Sequence, residues 1–325
     1  MKELSPSDLK TILHSKRANL YYLQYCRVMV NGGRVEYITE EGSKSLYWNI
    51  PIANTTSIIL GTGTSITQAA MRELAKAGVL VGFSGGGGTP LFSATEGSLD
   101  IAWLQPQSEY RPTEYLQLWV SFWFDDEKRL EAAKQFQIHR LGFIRKHWQS
   151  STIKRSEQFK LNTEELENLI EHSENTINQC LTTQHLLAHE AALTKKLYRL
   201  ICQATAYGDF TRAKQGSGND NANRFLDHGN YLAYGLAATA AWVIGLPHGL
   251  AILHGKTRRG GLVFDIADLV KDALVLPYAF IAAVEGDNEQ EFRTRLISVF
   301  QDNDALDYMI DTTKHCAQVI GTLVK

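Results

Sequence analysis

Cysteine is scarce in this chain of 325 residues: there are four, Cys26, Cys180, Cys202 and Cys316, and none forms a C-x-x-C pair. So sparse a scatter suits a reducing cytosol better than a disulfide framework. An excess of basic charge is also missing, since 33 Lys and Arg face 35 Asp and Glu for a formal net charge of -2. Proteins that coat nucleic acid non-specifically are far more basic, so any contact with DNA must come from local clusters. No run of eighteen apolar residues exists to span a membrane. The opening Met1-Lys-Glu-Leu-Ser lacks the apolar centre of a signal peptide. A cytoplasmic protein is expected.

What is present suffices for two cores, with 44% hydrophobic and 21% charged residues over a length that favours two domains. The first hundred residues read as strands and turns. Asn19 to Val30 is a strand-like run, Asn31-Gly32-Gly33 turns, and Arg34 to Ile38 returns, which is a hairpin signal. A further apolar stretch covers Ser45 to Leu60. Thr64 or Ser65 then caps a helix with the stripe Ile66, Ala70, Leu74, which Gly78 closes. Val79 to Phe83 reads as a buried strand, Gly85 to Gly88 as a turn and Pro90 to Ser93 as the returning strand.

From about Tyr115 helical periodicity takes over. The expected helices are Glu114–Phe124, Asp126–Trp148, Thr163–Leu181, Thr183–Ala206, Ala222–Ile244, Leu262–Val275, Asn288–Phe300 and Asp302–Leu323. The polar stretch Gln105–Pro112 holds the boundary, giving a β-rich domain over 1–106 and an all-α domain over 107–325. The fold class is therefore α+β.

Four residues of the helical half could carry chemistry. Glu190 interrupts the apolar run Leu186-Leu187-Ala188-His189-Glu190-Ala191-Ala192-Leu193, so its carboxylate either sits on a solvated face or aims into a cleft. His254 follows Ala251-Ile252-Leu253, as a core or loop histidine or as a ligand. Asp265 and Asp268 stand i, i+3 in the otherwise apolar Leu262 to Val270 and share one helical face. Asp265 has an ordinary explanation, support of the first helical turn through its dipole. Asp268 has none as good, and the ligand reading is stronger for it. Two carboxylates and one imidazole suit Mg²⁺ or Mn²⁺, whereas zinc prefers more His or Cys. Lys256, Arg258 and Arg259 cluster beside His254 and could contact phosphates, or simply lie in a solvated loop. The helix Asp126–Trp148 reads as a mixed solvated face with a basic end. His185 and His189, at i, i+4, are the seed of a rival zinc hydrolase, although the glutamate follows the second histidine and no H-E-x-x-H pattern forms. A non-catalytic DNA-binding scaffold is the other rival.

These residues sit in segments that resemble the CRISPR-associated integrase family, closest to its subtype I-F members. The similarity covers the whole chain. It runs through Gly63-Thr64-Ser65-Ile66-Thr67 to Val81, through Asn221-Ala222-Asn223-Arg224-Phe225 to Gly235, and through Gly245-Leu246-Pro247-His248-Gly249-Leu250 to Leu253-His254-Gly255. The loop Lys214 to Asp220 departs from it, lacking an acidic-aromatic pattern. The resemblance implies that Glu190, His254 and Asp268 hold Mg²⁺ or Mn²⁺ and that Asp265 supports them. It implies an N-terminal β-rich domain that dimerises and an all-α catalytic domain that inserts short DNA duplexes into a CRISPR repeat and cleaves branched DNA, with Lys256, Arg258 and Arg259 as DNA contacts. It also implies a homodimer joined to a second, small adaptation subunit, which in subtype I-F is fused to the helicase-nuclease.

Overall fold

A computed structural model describes residue 17 and residues 19–41, 44–83, 102–104, 112–213, 220–254 and 260–322. The turn expected at Gly85 to Gly88, the strand at Pro90 to Ser93, the loop from Lys214 to Asn219, and Lys256, Arg258 and Arg259 lie outside the described residues. The chain divides into two compact units, Met1–Arg111 and Pro112–Lys325. The first is strand-rich and the second helical.

In the first unit, β1 (Asn19–Leu23), β5 (Thr55–Leu60), β7 (Leu80–Phe83) and β8 (Ala102–Leu104) form one sheet in that order, with β1, β5 and β7 mutually parallel. β5 lies between two neighbours and all six of its residues are buried, as its unbroken Thr-Thr-Ser-Ile-Ile-Leu run suits. The second sheet has the order β4 (Lys44–Asn49), β3 (Arg34–Glu41), β2 (Cys26–Asn31), β6 (Ser65–Ile66). The hairpin lies where the sequence placed it. Asn31 pairs with Arg34, so Gly32 and Gly33 form a two-residue loop at φ 54° and 78°. Positive φ at both positions is the type I′ geometry that matches strand twist.

Two apolar runs of the sequence are each split between the sheets. Asn19 to Val30 breaks at Tyr25, which adopts a left-handed φ of 48°, so β1 and β2 diverge. Ser45 to Leu60 breaks at Pro51 and a short 3-10 turn, Ile52–Asn54, so β4 and β5 diverge. The expected helix also starts later. Ser65 and Ile66 belong to β6, and Thr67 is the cap, its side chain accepting the Ala70 N–H ahead of α1 (Gln68–Lys76). Gly78 closes α1 at φ 69°, with Gly78 N–H on Ala75 and Val79 N–H on Leu74, a Schellman pair.

The second unit comprises α2 (Glu114–Trp123), α3 (Asp126–Trp148), α4 (Ser151–Lys154), α5 (Thr163–Gln179), α6 (Thr183–Thr205), α7 (Asn221–Val243), α8 (Gly261–Val270), α9 (Leu276–Glu285), α10 (Glu289–Asp302) and α11 (Ala305–Thr322). Asp125, Asn162, Thr182, Asp220 and Asn288 cap their helices through side-chain oxygens. α7 is the central helix and packs on α8, α9, α10 and α11. Its small residues let neighbours approach: a Cβ on Gly229 would lie 2.5 Å from Val275 Cγ1. α8 is buried at all ten residues, between α7 and α3.

The helix after Asp268 does not stop at Val275. Lys271–Val275 widens into a π turn, with the Leu276 N–H bonding the Lys271 carbonyl, and α9 continues through Pro277. Proline lacks an N–H and its ring clashes with the carbonyl four residues back, here that of Ala273. The wider turn absorbs both defects, so helical backbone continues through the proline. Among the described residues no helix is long and apolar enough to cross a membrane.

Candidate active site

The site is organised from α8 outward. Asp265 is fully engaged. Its Oδ2 accepts the backbone N–H of Ile252 at 2.7 Å and of Leu253 at 3.3 Å, and its Oδ1 accepts the His254 N–H at 3.1 Å. The His254 ring adds Nδ1 to the same Oδ1 at 2.7 Å. Asp265 is therefore not a first-turn dipole partner: α8 starts at Gly261 and has no acidic residue in its first turn. Its work is to fold the segment before His254 around one buried carboxylate and to hold the imidazole by Nδ1.

That hold leaves Nε2 of His254 directed toward Asp268, whose Oδ2 is 3.7 Å away, beyond hydrogen-bond reach. Asp268 Oδ2 is buried and has no hydrogen-bond partner. Its other oxygen, Oδ1, takes the ammonium of Lys271 at 2.5 Å. Burial by itself would raise the Asp268 pKa, but the charges of Lys271, His254 and Arg140 prevail and hold it down to about 2. For His254, burial pushes the pKa down. The hydrogen bond to Asp265 and the charges of Asp268 and Asp265 outweigh it and leave the imidazole above its ordinary value. Lys271 is also raised, because Asp268 outweighs the cost of burial.

Glu190 lies on α6, and its Oε1 accepts from Arg140 Nη1 at 3.0 Å and from Thr194 Oγ1 at 3.1 Å. Arg140 comes from α3 and is 1% exposed. Its Nε reaches Asp272 Oδ2 at 2.8 Å, Nη1 also reaches Gln137 at 2.9 Å, and Nη2 reaches Thr194 at 2.9 Å and Asp272. Asp272 sits in the π turn, and its carbonyl accepts the Trp148 indole N–H. A buried guanidinium needs such company, because an unpaired charge there costs several kcal/mol, on the order of 3–5.

The structure thus brings His254, Asp265 and Asp268 together. Glu190 is linked to that group through Arg140, whose charge is felt at Asp268, and not by direct contact. Among the described residues no three His, Cys, Asp or Glu side chains gather closely enough to hold an ion. The same holds for the pair His185 and His189: His185 is exposed, and His189 Nε2 is buried with no hydrogen bond.

Four participants escaped sequence reasoning: Arg140, Thr194, Lys271 and Asp272. Arg140 lies in the helix read as a mixed solvated face, yet Arg129, Arg140, His147 and Trp148 of that helix are buried. Asp272 had a usable signal. Asp265, Asp268 and Asp272 follow i, i+3, i+7 along one face of an apolar helix.

Residues 21–310 match the family model described as CRISPR associated protein Cas1. The chain belongs to the Cas1 family. A CRISPR-associated endonuclease Cas1 of Pectobacterium atrosepticum is 65% identical over 321 residues, 99% of this chain and 98% of that protein. One of Pseudomonas aeruginosa is 65% identical over 318 residues, 98% of each. Among solved structures, a casposase bound to integration product shares the fold at a TM-score of 0.69 and 16% identity, covering 94% of this chain and 91% of that one. The Cas1 assignment fits the strand-rich and helical units, and it leaves the zinc-hydrolase reading without support.

Proposed function

We propose that this chain is a metal-dependent DNA endonuclease and integrase, which inserts short foreign DNA fragments into a CRISPR array by transesterification. The observation that carries the reading is a pattern of half-engaged ligands. Asp265 holds His254 by Nδ1, and among the described residues no hydrogen bond engages Nε2, which faces Asp268 Oδ2 at 3.7 Å. Lys271 holds Asp268 by Oδ1 and leaves Oδ2 buried and without a hydrogen bond. Arg140 and Thr194 hold Glu190 by Oε1, while among the described residues no hydrogen bond or ion pair engages Oε2. Metal ligands are commonly fixed in this way, through the atom that does not bind the ion. An orphaned buried carboxylate oxygen is costly unless something positive reaches it.

The donor types suit a hard divalent cation, and Glu190, His254 and Asp268, although not gathered around one point here, would be the residues to hold Mg²⁺ or Mn²⁺. When bound, the ion supplies a Lewis acid that favours ionisation of an attacking 3′-hydroxyl and neutralises charge on the phosphate. The chain's own residues do the rest. Asp265 fixes the ring and tautomer of His254, and Lys271 balances Asp268 and keeps it ionised. Lys256, Arg258 and Arg259, immediately after His254 in the chain, would hold the scissile strand by its phosphates. Because joining is reversible, the same site would cleave branched DNA.

In this reading the chain works in the cytoplasm as a homodimer formed by the unit ending near residue 106–111. The second, small adaptation subunit, fused to the helicase-nuclease as in subtype I-F, would join it. The 65% identity to two Cas1 endonucleases, each over nearly its whole length, supports the activity. The test is strand transfer of a short duplex into a repeat-bearing plasmid, with Mn²⁺ or with EDTA. Native protein should join strands with Mn²⁺ only, and Asp268→Ala and His254→Ala should fold, bind DNA and fail to join. Full joining by Asp268→Ala, or joining that persists in EDTA, would refute the mechanism.

A further inference from the structure

We propose that Arg140 is a positioning residue for the cation: anchored on Asp272, it holds one oxygen of Glu190 so that the other is presented to the ion. The proposal rests on the reading of Glu190, His254 and Asp268 as ligands.

Five hydrogen bonds engage the guanidinium, two to Asp272 and one each to Gln137, Glu190 and Thr194. They match its five N–H groups, so the plane of the group is fixed from three elements: α3, α6 and the π turn. The oxygen it holds cannot wander. Thr194, one turn after Glu190 on α6, donates to the same Oε1 while accepting from Arg140, which closes a triangle around that atom. Free rotation of a glutamate side chain is thereby removed before any ion arrives.

Charge alone argues the other way. A buried positive group beside a cation site repels the cation, and in a low-dielectric interior that repulsion is substantial. Two effects of opposite sign therefore compete at Arg140. If it were only a neighbouring charge, weakening its hold would leave Mn²⁺ affinity unchanged or improve it. As a positioning residue, its replacement lowers affinity. Lysine is the informative substitute, since it keeps the charge and loses the fork that meets Asp272 and Glu190 together.

The experiment measures Mn²⁺ binding to the full-length protein by electron paramagnetic resonance of the free ion, with thermal melts to verify folding. Arg140→Lys should weaken binding roughly 10- to 100-fold, the usual cost of losing an outer partner of a metal ligand. Thr194→Val, which leaves the Arg140 to Asp272 contacts in place, should weaken it several-fold and serves if the lysine variant does not fold. Glu190→Gln should weaken binding too, and adding Arg140→Lys to it should cost little more, because both act through the same carboxylate. At saturating Mn²⁺ the Arg140→Lys enzyme should recover most of its strand-joining rate. Mn²⁺ binding as tight as native in both Arg140→Lys and Thr194→Val, with Glu190→Gln still impaired, would overturn the role of Arg140 alone. Native affinity in Glu190→Gln would remove Glu190 from the ligand set and the proposal with it.

Discussion

Asp265 shows how much one buried carboxylate can organise. Three backbone N–H groups and one ring nitrogen converge on its two oxygens, and among the described residues no other group bonds to them. Asparagine in its place would present one accepting oxygen and one amide that faces donors. Asp265→Asn should therefore destabilise the protein by about 1–3 kcal/mol, the range for hydrogen bonds to a charged group and for donors left unsatisfied. Urea unfolding would read this as a lower midpoint at unchanged slope, and an unchanged midpoint would mean the segment before His254 is held by other contacts. Part of this was legible beforehand. Two aspartates in an apolar helix and a histidine after an apolar run stood out because their chemistry conflicts with their neighbours. Arg140 did not stand out, because an arginine among Lys134, Arg145 and Lys146 looks like any solvated charge. Only the fold shows that it points inward.

At the scale of elements, legibility followed local rules and failed where a tertiary neighbour overrode them. The Asn-Gly-Gly hairpin, the close of α1 at Gly78 and the starts of α3 and α6 are written in a few adjacent residues. The strand breaks at Tyr25 and Pro51 depend on two sheets competing for one run, and the passage of α8 through a π turn into α9 depends on α3 and α7 packing around it. That packing is tight enough to test. Gly229 on α7 faces Val275 at the end of the π turn and Leu296 and Phe292 on α10, and a methyl group there would come within 2.5, 2.9 and 3.2 Å of their side chains. Gly229→Ala gains helix propensity of about 1 kcal/mol. Overpacking costs of about 1–3 kcal/mol should exceed it. The expected result is a lower melting temperature, partly restored by adding Val275→Ala. A melting temperature above native in the single variant would show that α7 and the π turn can separate without cost.

For the whole molecule, the balance of charge is nearly neutral, and its pH response is set by histidines held in the interior. Among the described residues, five have pKa values lowered first of all by burial: His139, His147, His189, His228 and His248. His147 and His228 fall to about 4. His254 alone is raised, by the carboxylates that surround it. In the unfolded chain a histidine takes up its proton near pH 6.5. Below that pH the unfolded state binds more protons than the folded one at these five positions, whereas at His254 the difference lies above about pH 6.5, where only the folded state holds the proton. The stability these five contribute is then fully present above about pH 6.5 and is lost as pH falls toward 4, while the contribution of His254 is complete below about pH 6.5 and is lost only as pH rises through its raised value. The depressed aspartates do not enter this window, since Asp220 and Asp268 shed their protons below it in folded and unfolded states alike. Melting temperature should hence fall steadily from pH 7 to pH 5. Replacing His147, whose ring lies 4.0 Å from that of Phe143 and whose Nε2 is buried without a partner, by phenylalanine should flatten the fall by removing one of the five protons. A melting temperature that is constant or rises between pH 7 and pH 5 would mean that the interior accommodates these protons without unfolding.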